Sequence, residues 1–93
     1  MKEPWPPAKV KRLVLAALMG GYIEFSEHAW NAMEDDDLEA QDVYEVLREG
    51  NVGPGDKRKG TWRYTFKVKW AGAVVTFRSG RESVVVVTAW GKP

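Results

Sequence analysis

The sequence predicts an α+β domain in which N-terminal helices pack on one face of a three- to four-stranded antiparallel β-meander. Three observations carry this. Val10, Leu13, Val14, Ala17 and Leu18 recur at the three-and-four spacing of a single helical face. From Thr61 to Trp70 the chain alternates strictly, with Trp62, Tyr64, Phe66, Val68 and Trp70 on one side and Arg63, Thr65, Lys67 and Lys69 on the other. Further on, Val84-Val85-Val86-Val87 is apolar on both faces, as a central strand requires.

Taken in order, residues 1–7 hold Pro4, Pro6 and Pro7 and are expected to form a loose, extended tail ahead of a single domain over residues 8–93. The first helix starts at Ala8 and stops at Gly20-Gly21. Tyr22 to Phe25 is too short for a helix and reads as a brief extended segment. Ser26 suits an N-cap for a second helix from Glu27 to Met33, with Ala29, Trp30 and Met33 turned inward. The acidic run Glu34-Asp35-Asp36-Asp37 interrupts it. A third helix enters at Leu38, turns Val43, Val46 and Leu47 to one face and ends at Gly50.

Asn51 to Gly60 is rich in glycine, proline and charge and reads as a turn-filled connection with room for one short strand. After the alternating strand, Ala71-Gly72 is expected to turn the chain into Ala73 to Arg78, and Ser79-Gly80-Arg81 to turn it again into Ser83 to Trp90.

Composition narrows the chemistry. Ninety-three residues fit one domain, and the five Trp, three Tyr and three Phe supply a core large enough to exclude disorder. With no cysteine and a single histidine, the chain has neither a thiolate nucleophile nor the donor set of a zinc cage, so no metal and no cofactor are expected. A near-neutral total hides a strong polarity: residues 1–21 sum to +3, residues 22–50 to −9 and residues 51–93 to +7. Such asymmetry fits contact with nucleic acid or a partner, and equally two solvated faces that attract each other. No stretch is long enough to span a membrane. The apolar run after Lys9-Val10-Lys11-Arg12 is better explained as a core helix than as a leader, which gives a cytoplasmic expectation.

On this reading the solvent face of the sheet gathers Arg63, Lys67 and Lys69, joined by Arg78 and Arg81 if the strand register allows. A polyanion is the natural ligand, because Lys and Arg contact phosphates and Arg can grip one with two parallel bonds. His28 is the candidate proton carrier: near a helix N-terminus the ring is favoured in its neutral form and can act as a general base. It could deprotonate an RNA 2′-hydroxyl while Arg63 or Arg78 stabilises charge on the phosphate, with no metal required. The bland alternatives are a locally packed histidine and an ordinary polar sheet face. Trp62, Tyr64 and Phe66 alternate too regularly with charge to be base-stacking residues and are assigned to the core.

The stretch Gly20-Gly21-Tyr22-Ile23-Glu24-Phe25-Ser26-Glu27-His28-Ala29 with Met33, followed by Arg63-Tyr64 and by Val84 through Trp90, resembles a small bacterial family with a Phe-Ser-x-His-Ala motif. That family looks like a relative of the RelE and motility quorum-sensing regulator type toxins. The resemblance implies a metal-independent endoribonuclease with His28 and Arg63 at matched positions, together with an antitoxin partner and RNA or the ribosome as target; the basic face adds Arg78 as a third catalytic residue and Lys67, Lys69 and Arg81 on the RNA. It also leaves Tyr64 a role beside Arg63. The chain departs from the family at Ala32, where an arginine is usual, and at Glu34 to Asp37, where a basic residue and glycine are usual. Those departures keep open a second reading, a catalytically inactive binding module of the same fold.

Overall fold

The computed structural model describes residues 3–78 and 83–91. It has the order α1 (Pro7–Gly20), β1 (Ile23–Phe25), α2 (Glu27–Asp35), α3 (Ala40–Glu49), β2 (Asn51–Val52), β3 (Asp56–Arg58), β4 (Thr61–Lys67), β5 (Ala71–Phe77) and β6 (Val84–Gly91). The α+β expectation holds, and all three helices lie where the periodicity puts them. Each end has a local cause. Pro7 supplies a fixed φ at the start of α1, and Gly21, at φ 80°, takes the left-handed conformation that closes it with an N–H to the Ala17 carbonyl. Ser26 caps α2 by accepting the Ala29 N–H at 3.0 Å. Asp42 reaches back 2.8 Å to the Glu39 N–H, so α3 begins at Ala40 rather than at Leu38.

The sheet runs β1-β6-β5-β4-β2, with β3 also on β4. The expected meander is present as β4, β5 and β6, but the sheet is mixed and larger than three or four strands. β1 pairs parallel to β6, with Ile23 opposite Val84 and Phe25 opposite Val86. The turn after β4 is also displaced. The strand stops at Lys67, Val68 donates to the Ala71 carbonyl, and Ala71-Gly72 belong to β5 instead of turning the chain. Trp70 therefore leaves the alternation and is 40% exposed.

All three helices cover the same face. Val10, Val14 and Ala17 of α1, Ala29 and Met33 of α2, and Val43, Val46 and Leu47 of α3 meet Tyr64 and Phe66 of β4, Ala73 and Val75 of β5, and Val84, Val86 and Ala89 of β6 in one core. Val86 and Ala89 share that face because Val87 is an extra residue: Val74 pairs with Thr88 while Val75 pairs with Val86. The segment expected to be a loose tail is anchored from Glu3 onward. Trp5 packs edge-on to Phe77 with ring centroids 5.1 Å apart, and its backbone N–H donates to the Tyr64 hydroxyl. Trp30, expected inside, is half exposed, because Ala29 and Met33 already fill the inward face of α2.

Candidate nucleic-acid interface

Opposite the helices, no described element covers the sheet, and alternation decides what stands there. With Tyr64 and Phe66 inward, Arg63, Thr65 and Lys67 of β4 face out, as do Val74 and Thr76 of β5. Register sets their neighbours. Thr65 lies beside Val74 and Thr88, while Lys67 lies beside Gly72 and then Trp90. The Trp90 indole rests directly on Gly72, where a Cβ would come within 2.3 Å of a ring carbon. Glycine is what lets the ring lie down.

Arg63 is half buried, and its Nε is shielded from water with no acceptor among the described residues. Asp56 sits across from it in register, yet that carboxylate is taken by Arg58 at 2.8 Å. Lys67 is exposed and has no acidic partner among the described residues. Arg78 differs: its guanidinium holds the Glu24 carboxylate at 2.6 Å and 3.1 Å, so β1 neutralises it. Asp56 and Glu24 are thus each occupied by an arginine, and Arg63 and Lys67 have no acidic partner among the described residues.

Of the remaining candidates, Lys69 is exposed but sits in the turn after β4, since the strand ends at Lys67 and the alternation that would place Lys69 on the face has already broken. Arg81 lies outside the described residues. His28 is exposed in the first turn of α2, at the β1–β6 side of the sheet, where the Ser26 hydroxyl donates to the Val87 carbonyl at 3.0 Å. No hydrogen bond or ion pair joins His28 to Arg63 or Arg78 among the described residues. β4 and β6 are separated by β5, so about 10 Å of sheet lies between Arg63 and the strand beside His28.

Tyr64 is fully buried, and its hydroxyl is pushed up to about 12 by burial first and then by its hydrogen bond to Glu3. Core packing accounts for this side chain, as alternation expects. The acidic residues Glu34 to Asp37 are solvent-exposed, and Asp36 accepts the Gly91 N–H at 2.8 Å. Trp90 is the residue that sequence reasoning overlooked as a candidate. Its signal was the Gly72–Trp90 pair, visible only once the register is known.

No family model, no curated protein and no solved structure matches this chain. No helix among the described residues is long and apolar enough to cross a membrane.

Proposed function

We propose that the chain is a toxin-like domain of a bacterial toxin–antitoxin pair, and that it engages single-stranded RNA on the open face of its sheet. The observation that carries this is Arg63: a half-buried guanidinium whose Nε has no acceptor among the described residues, on a face where Asp56 and Glu24 are already paired. The terminal nitrogens of the same guanidinium are not shielded in this way, and a phosphate oxygen can accept from them. Lys67 offers a second phosphate contact, and Trp90, one strand beyond Gly72 in the same row, offers a ring for a base. The sequence resemblance to RelE-type toxins points to the same ligand and to an antitoxin that covers the face when the toxin is held silent.

Cleavage is a second reading, favoured by the exposed His28 ring, which has no hydrogen-bond partner among the described residues. In that reading His28 takes the proton of a 2′-hydroxyl, the 2′-oxygen forms the new bond to phosphorus, and the 5′-oxygen leaves with a proton from solvent. Arg63, on the open face and about 10 Å of sheet away, then holds a different phosphate of the same strand rather than the one attacked.

Fluorescence anisotropy with a labelled single-stranded RNA tests binding, titrated across a salt series. The expected result is affinity that falls steeply with salt, and Arg63→Ala and Lys67→Ala each lowering the log–log slope by about one. Binding that is insensitive to both substitutions would overturn the assignment.

A further inference from the structure

β1 is an edge strand, and no described residue pairs with its outer backbone groups. On the β6 side, Val84 donates to the Tyr22 carbonyl and Ser26 donates to the Val86 carbonyl, so residues 22, 24 and 26 face β6. The N–H and C=O groups of Ile23 and Phe25 therefore point away from the sheet. Beside this edge lie the three most exposed large apolar side chains among the described residues, Met19 at 91%, Tyr22 at 60% and Trp30 at 50%. This apolar strip has two ends. At one, Trp30 stands against Phe25 with ring centroids 4.6 Å apart. At the other, Leu15, Leu18, Met19, Ile23 and Arg48 line a groove of about 590 Å³, which Tyr44, 5.8 Å from Phe25, joins to the first end.

We propose that β1 is the seam of a two-fold symmetric dimer, in which two copies of the chain pair their β1 edges antiparallel and the Trp30 of each enters the groove of the other. Self-complementarity selects a second copy as the occupant. A two-fold axis at Glu24 sets Ile23 opposite the partner's Phe25, where the outward groups of both residues exchange hydrogen bonds. The same axis reverses the apolar strip, so the Trp30 end of one copy falls on the groove end of the other. Both ends are filled by one operation. The charges agree as well: the axis brings two Glu24 side chains together, and each already carries Arg78 at 2.6 Å, which compensates the like-charge pair. The two sheets become one, and an otherwise exposed edge is closed.

The chain has no cysteine, so a single introduced thiol reports this geometry. In an antiparallel pair with Glu24 facing its own copy, Glu24→Cys places two thiols opposite each other without backbone hydrogen bonds between them, a spacing a disulfide can bridge. Asn51→Cys, exposed on β2 at the far edge, is the control. The expected results are sedimentation of the wild-type chain at twice 10.5 kDa at about 100 μM, and cross-linking of Glu24→Cys at least about tenfold faster than Asn51→Cys. Trp30→Ala and Met19→Lys, both checked for native circular dichroism, are expected to shift the chain toward monomer. A wild-type monomer throughout, whether or not β1 accepts a strand from another protein, overturns the proposal, as do equal cross-linking rates. RNA binding is read in a separate assay and does not depend on the outcome.

Discussion

The Tyr64 hydroxyl donates a 2.6 Å hydrogen bond to a Glu3 carboxylate oxygen and accepts the Trp5 N–H at 3.2 Å. One buried phenol thereby fixes the N-terminal segment to β4. Because the folded pKa lies near 12 against 10.0 for a free tyrosine, the folded state keeps a proton that the unfolded chain loses. Stability from this group is complete below pH 10 and declines as pH rises toward 12. A shift of that size corresponds to about 2–3 kcal/mol. Urea denaturation at pH 8 and pH 11 is expected to show a smaller alkaline loss in Tyr64→Phe than in wild type. At pH 8 the variant should itself be weaker by about 1–2 kcal/mol, since Trp5 loses its acceptor.

Gly72 and Trp90 form a pair in which the glycine cannot change while the ring is in place. An alanine at 72 would drive its methyl group into the indole, so Gly72→Ala is expected to cost about 1–3 kcal/mol. Removing the ring first makes room. In a Trp90→Ala background the same substitution should cost little, and the double-mutant cycle measured by urea denaturation should return a coupling above 0.5 kcal/mol. If Trp90 also stacks on a base, Trp90→Ala weakens RNA binding by about 1–3 kcal/mol while leaving the salt slope unchanged.

Ser26 joins α2 to the sheet twice over, accepting from Ala29 and donating to the Val87 carbonyl. Ser26→Ala removes both bonds. The expected loss is about 1–2 kcal/mol in thermal or urea denaturation, and Ser26→Asp, which restores only the cap, should recover part of it.

His28→Ala separates the two functional readings, because the ring is exposed and its loss should leave stability within about 0.5 kcal/mol of wild type. Induced in a bacterial host, an active toxin is expected to arrest growth and create new transcript 5′ ends, and His28→Ala to abolish both at matched soluble expression. Arrest without new ends, unchanged by His28→Ala, would assign the effect to binding.

Local pattern disclosed the helices, the β4 alternation and the outward placing of Arg63 and Lys67, since each depends on spacing of a few residues. What it missed depends on distant partners. Three residues of β1 carry no period, so their parallel pairing to a strand some sixty positions away leaves no local trace. Ala71-Gly72 looks like a turn by composition, but the small residues are there because Ala71 and Ala73 fill a tight core and Trp90 lies on Gly72. The same holds at the interface. Arg78 reads as a free cation until Glu24, 54 residues earlier, is found beside it.

That ion pair yields the sharpest test of which cations serve the face. Arg78 and Glu24 are each about half exposed, so the pair contributes at most about 1 kcal/mol to stability and less in salt. Its weight in binding is larger, because Glu24 places a negative charge at the border of a surface proposed to hold phosphate. Glu24→Gln keeps the shape of the side chain and releases Arg78. Under the RNA-binding proposal, affinity at low salt should rise by about threefold to tenfold and the salt slope should steepen by up to about one, as a freed arginine adds a phosphate contact. Arg78→Ala should leave wild-type binding nearly unchanged and cancel the gain in the Glu24→Gln background. Anisotropy titrations of the four proteins decide it: equal affinity for wild type and Glu24→Gln would confine the phosphate contacts to Arg63 and Lys67.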